Sequence, residues 1–112
     1  MAGFEVVARM QNFQITVVER INNVTVRRRM RNWYLLDRGM EDTDNFAWGY
    51  VGTGSTCTAY SILREFLGKE GADELCDRFR QEFVERLDQE KGFRITGERI
   101  CKILRMDPRM AK

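Results

Sequence analysis

At 112 residues, with 43% apolar and 32% charged side chains, the chain is sized and composed for one folded domain around a single core. Disordered and membrane-spanning classes drop out, because no apolar run approaches the length that crosses a bilayer. A net charge of +2 excludes a strongly basic nucleic-acid binder as the first expectation, though not a local basic patch.

Two absences narrow the chemistry. Cys57, Cys76 and Cys101 are odd in number and widely spaced, which argues against a disulfide framework and against a zinc site. Histidine is missing altogether, so the usual general base, metal ligand and nucleophile partner go with it. No cofactor and no metal are expected, and any catalysis would rest on carboxylates, lysine or tyrosine. The start, Met1 to Glu5, lacks the basic region and long apolar stretch of a secretory signal. A cytoplasmic location is the default expectation.

In chain order, Met1 to Met10 alternates apolar positions at Phe4, Val6 and Ala8 and reads either as a strand or as a loose terminus. Phe13 to Glu19 reads as a strand with Phe13, Ile15 and Val17 on one face. Ile21-Asn22-Asn23 suits a turn, since asparagine tolerates the left-handed region, and Val24-Thr25-Val26 returns to complete a hairpin. Arg27, Arg28, Arg29 and Arg31 follow as the sharpest charge feature of the chain. On a strand they divide between both faces and cannot all line one groove. A solvated sheet edge is the plain reading; contact with an acidic protein or with phosphates is the functional one.

Trp33 to Leu36 reads as another short strand, and Asp37 to Asp44 as a polar loop. Glu41, Asp42 and Asp44 lack the spacing of a calcium loop. After the glycine turn discussed below, a helix is expected to about Lys69, burying Ala59, Tyr60, Leu63, Phe66 and Leu67. A second helix is expected from Ala72 to about Gln89, with Leu75, Cys76, Phe79, Phe83 and Leu87 inward. Phe93 and Ile95 alternate in a short extended piece. Thr96 is placed to cap a last helix carrying Ile100, Ile103 and Leu104, which Asp107-Pro108 ends. The expected fold is α+β in one domain over residues 1–112: a small antiparallel sheet from the N-terminal half, packed by two longer helices and a short C-terminal one. Residues 1–12 and 107–112 are the segments expected to be loose.

The stretch around which these elements are arranged is Phe46-Ala47-Trp48-Gly49-Tyr50-Val51-Gly52-Thr53-Gly54-Ser55. Its rings alternate at period two, as in a strand, and its glycines suit a tight reversal into a helix by positive φ. Free amides at a helix start form an anion cradle. Trp48, Tyr50, Gly52, Thr53, Gly54 and Ser55 are therefore the candidate ligand residues, with rings for stacking and amides for a phosphate or carboxylate. The spacing is neither a P-loop nor a dinucleotide fingerprint, and a structural turn explains the same residues.

This stretch resembles the F-x-W-G-Y-x-G-[ST]-G-P signature of a family of small bacterial and phage proteins, domain of unknown function 6166. The resemblance extends from about Ile15 to Leu104 and departs from the pattern at Ser55, where the family has proline. It implies a fold and transfers no catalytic residue.

Three functions are carried forward. The first is a non-enzymatic binding protein holding an anionic, nucleotide-like ligand at Gly52–Ser55. The second, suggested by the resemblance, is a phage or mobile-element factor that inhibits a host enzyme or defence complex, in the manner of anti-CRISPR proteins. The third is nucleic-acid binding through Arg27–Arg31. Self-association into a homodimer is an alternative, and a catalytic reading would use Asp42 with Asp44, or Glu41, as acid and base and Tyr50 as a proton donor.

Overall fold

The computed structural model describes residues 3–10, 14–43, 45–107 and 109. Phe13, Asp44 and Pro108, each invoked above, lie outside them. Four antiparallel strands form one sheet in the order β3-β2-β1-β4: β1 (Phe4–Ala8), β2 (Ile15–Ile21), β3 (Val24–Arg29) and β4 (Phe93–Thr96). Among the described residues three helices complete the fold: α1 (Trp33–Leu36), α2 (Thr53–Glu82) and α3 (Gly97–Leu104), with a 3-10 turn at Val84–Arg86. The α+β expectation holds, with one strand of the sheet drawn from the C-terminal half.

The β2–β3 hairpin turns where the asparagines allow it. Asn22 and Asn23 sit at φ 50° and 67°, the positive pair of a two-residue turn whose twist matches that of its strands. Residues 4–8, left open between strand and loose terminus, form β1, an inner strand paired with β2 on one side and β4 on the other. Strand alternation then sorts the side chains. Phe4, Val6, Ala8, Ile15, Val17 and Ile95 point to one face, where all are buried.

Against that face lies α2. Its first half is buried on nearly every side, from Gly54 through Leu63 to Phe66, as befits a helix at the centre of a domain. Phe66 meets Phe4 with ring centroids 4.7 Å apart. At Gly68 the backbone leaves helical geometry (φ 86°, ψ 179°) and α2 kinks; the residue lacks the Cβ that would oppose that φ. The second half turns Ala72, Cys76 and Phe79 inward. Helical structure ends at Glu82, so Phe83 and Leu87 flank the 3-10 turn and do not extend a helix to Gln89.

Two expected strands are corrected. Trp33–Leu36 is helical because Asn32, fully buried, caps it: its Oδ1 accepts the Leu35 amide at 3.2 Å. Ser61 and Glu65 of α2 then accept the Trp33 amide (3.0 Å) and indole N–H (2.9 Å), fixing α1 to α2. The aromatic stretch from Phe46 to Tyr50 is an extended loop outside the sheet. At the C-terminus, Thr96 Oγ1 accepts the Arg99 amide at 3.2 Å, as expected of a cap. α3 stops at a left-handed Arg105 (φ 55°), upstream of Asp107-Pro108.

Candidate functional site

The aromatic loop is a seam between the start of α2 and the residues after its end. Trp48 is 1% exposed, its indole N–H donates to the Lys91 carbonyl at 2.7 Å, and its ring meets Phe93 edge-on. The Gly49 amide donates to the Val84 carbonyl at 2.9 Å. Gly49 takes the positive φ of the turn (87°), whereas Gly52 is extended (φ 173°) and Gly54 is within the helix. The expectation of positive φ at Gly52 and Gly54 is corrected accordingly. What Gly54 provides is closeness: a Cβ there would fall 2.6 Å from the Cβ of Ala47.

Hydroxyls stitch this seam. Ser55, fully buried, donates to the Tyr50 carbonyl at 2.5 Å, and Thr56 donates to the Gly52 carbonyl at 3.3 Å. Thr58 Oγ1 accepts the Ala47 amide at 3.1 Å and lies 2.8 and 2.9 Å from the carbonyls of Ala47 and Gly54. Ser55 thus holds the turn through a side-chain bond. The Tyr50 ring lies against Gly52, 2.7 Å from where a Cβ would be, and remains 44% exposed. The structure therefore brings Tyr50, Gly52, Thr53, Gly54 and Ser55 together. Trp48 faces the interior, away from them.

One turn further along α2 is a cleft of ≈ 340 Å³ that the sequence reading missed. Tyr34, Arg38, Thr56, Tyr60, Asp77 and Arg80 contribute to its lining, from α1, the loop after it and both halves of α2. Arg38 lies 3.6 Å over the Tyr34 ring and makes no ion pair among the described residues. Arg80 is held by Asp77 (3.4 Å) and Glu85 (2.9 Å) and donates to Thr56 Oγ1 at 3.3 Å. The Tyr60 hydroxyl donates to Asp37 at 2.7 Å; burial, and then that carboxylate, push its pKa up. Asp37 is itself partly buried, which works to raise its pKa. Bonds from Arg64 and Tyr60 more than offset this and hold it below the ordinary carboxylate range. Burial pushes the Cys76 thiol up to about 11, so it stands protonated and unreactive at neutral pH.

The acidic loop serves structure. Asp42 accepts the Asn32 amide at 2.9 Å and pairs with Arg29 (3.2 Å) and Arg31 (3.6 Å). Those partners outweigh its burial and lower its pKa. No cluster of acidic or cysteine side chains fit to hold a metal occurs among the described residues.

The arginine run is divided by the sheet. Arg28 points to the helical side, where it meets Glu65 at 2.7 Å and Glu19 at 2.5 Å. Arg27 and Arg29 point to the opposite, outer face, and the register aligns them with residues far away in sequence. One row reads Thr96, Glu5, Val18, Arg27 and the next Arg94, Val7, Thr16, Arg29, with Arg20 and Thr25 beyond. All three helices pack on the other side. Four arginines thus share the outer face with one carboxylate from the strands, Glu5, which lies 3.2 Å from Arg94, while Asp42 from the loop after α1 pairs with Arg29 at its margin. Arg20 and Arg27 have no acidic partner among the described residues. Sequence reading had the run but not Arg20 or Arg94, whose place beside it only strand register reveals.

No helix among the described residues is long and apolar enough to cross a membrane. No curated protein matches the chain, and no solved structure does. A family profile matches residues 15–106, most of the sequence and all of the seam just described. The chain belongs to the family of unknown function DUF6166.

Proposed function

We propose that this protein is a non-enzymatic nucleic-acid-binding protein that acts through the outer face of its sheet. The observation that carries the reading is the convergence of Arg20, Arg27, Arg29 and Arg94 on one face, opposed by Glu5 at Arg94 and by Asp42 at Arg29. A chain of net charge +2 has little long-range attraction for a polyanion, so its affinity has to come from a local concentration of guanidinium groups. Guanidinium is suited to it, because its planar fork matches phosphate oxygens. A protein partner is the weaker fit. The middle of the face offers Val7, Val18 and Thr16, all only part-exposed, and no aromatic anchor of the kind that dominates protein interfaces.

Retardation of labelled nucleic acid in low-salt gels tests this. The expected result is a shifted band that fades steeply as salt is added, and fades earlier for Arg27→Ala. Unshifted nucleic acid at low salt refutes the reading.

A second reading rests on Arg38. Its guanidinium is stacked on Tyr34 and exposed at the mouth of the cleft, and it makes no ion pair among the described residues, though the Asp73 carboxylate lines the same cleft. A small ligand with an anionic group could bind there, one turn from the predicted Gly52–Ser55 cradle. The lining otherwise sets Arg80 against Asp73 and Asp77, so a ligand carrying polar groups of both kinds suits it better than a bare anion. Thermal-shift measurements with a nucleotide and cyclic-nucleotide panel test this reading, and a flat response with every compound sinks it.

A further inference from the structure

Resting on the nucleic-acid reading, we infer that the preferred partner is a double helix, gripped by its two phosphate backbones across a groove. The argument is the pattern of charge over the face. Three of its arginines stand at the two margins, Arg94 on β4 and Arg27 with Arg29 on β3; between them the two rows present Glu5, Val7, Thr16 and Val18 on the inner strands, and the fourth, Arg20, lies one row further along β2. With strands about 4.8 Å apart, the margins are separated by roughly 14 Å at the backbone. That separation is close to the roughly 12 Å of a major groove, and within arginine's reach of the roughly 6 Å of a minor one. Along β3, Arg27 and Arg29 are about 7 Å apart, so they meet neighbouring phosphates of one strand.

The middle of the face supplies the second half of the argument. Proteins that hold single strands on a sheet do so by stacking bases on exposed rings. Here both rows lack a ring: the aromatic residues of these strands, Phe4 and Phe93, point to the helical side. A flexible single strand would gain charge contacts alone and lose its conformational freedom in making them. A duplex presents its two backbones already in place. The Glu5–Arg94 and Asp42–Arg29 pairs do not stand in the way, since Arg94 is 70% and Arg29 45% exposed and such pairs are weak; phosphate can replace the carboxylates.

The test is fluorescence anisotropy on the full chain with four probes: a short DNA duplex, an RNA duplex of the same length, the separated DNA strand, and polyglutamate. At least one duplex is expected to bind several-fold more tightly than the single strand. A plot of log affinity against log salt should slope by about −3, for three to four phosphates neutralised. The double variant R27A/R94A, altered at two exposed positions, should lose at least about tenfold in duplex affinity and flatten that slope by about two. Circular dichroism confirms that it stays folded. A single strand bound as tightly as either duplex overturns this inference and leaves the nucleic-acid reading standing. Polyglutamate bound as well as nucleic acid, or no binding to any probe, overturns both.

Discussion

Gly54→Ala puts the seam between the aromatic loop and α2 to a quantitative test. Replacing glycine by alanine inside a helix ordinarily stabilises it, by at most about 1 kcal/mol. Here the new methyl would fall 2.6 Å from the Ala47 Cβ and 3.3 Å from the Ala47 nitrogen and the Tyr50 hydroxyl. A Cβ cannot rotate out of the way, so the loop has to retreat. Overpacking of this kind costs about 1–3 kcal/mol. Retreat also stretches the bonds joining Ala47 to Gly54 and Thr58, each worth about 1 kcal/mol. The balance is a net loss of about 1–3 kcal/mol, or a melting point lowered by roughly 5–15 °C for a domain of this size. Urea unfolding of four proteins measures it: wild type, Gly54→Ala, Ala47→Gly and the double variant. Ala47→Gly removes the methyl that clashes, so the double variant should recover much of what Gly54→Ala loses. A Gly54→Ala protein as stable as wild type, or strict additivity in the cycle, would refute the packing argument.

Two further outcomes follow from the geometry. Trp48→Phe should cost about 2–3 kcal/mol, because it leaves the Lys91 carbonyl without its donor and a void beside Phe93; a loss under about 0.5 kcal/mol in urea unfolding contradicts the burial described. Asp37→Asn should destabilise in a pH-dependent way. A carboxyl whose pKa is lowered by folding stabilises fully above its unfolded value of 3.8, and that share is lost as pH falls through the lower folded value. The stability gap between wild type and Asp37→Asn should therefore persist from neutral pH to about pH 4 and close below it. A gap unchanged at about pH 2 would rule out the Asp37–Arg64–Tyr60 cluster as its source.

What could be read from residues alone was whatever local rules decide. Asn22-Asn23 specifies a turn by the conformations asparagine tolerates, and Thr96 caps α3 by a bond to a residue three positions on. The Phe46–Tyr50 stretch misled because alternation reports an extended backbone and says nothing of a neighbour. Phe46 and Trp48 do alternate inward, but the hydrogen bonds of this segment go to α2 and to the residues after it. Trp33–Leu36 has the β-like composition of a strand, overridden by a cap on Asn32 and two partners on α2. The cleft was invisible for a different reason: Tyr34, Tyr60 and Arg80 converge only because α2 bends at Gly68. The arginine face needed register, since Arg20 and Arg94 lie far from the run they join.

The place of β1 has a practical side. The family match starts at Ile15, yet the strand that separates β2 from β4 is Phe4–Ala8, upstream of it. β4 has no other hydrogen-bonded neighbour in the sheet. Trimming the chain to the matched segment would strand β4, open a slot down the middle of the sheet, and pull the two arginine margins out of alignment. The few residues before the recognisable stretch are the keystone between its two ends, and any version of this protein made for experiment has to keep them.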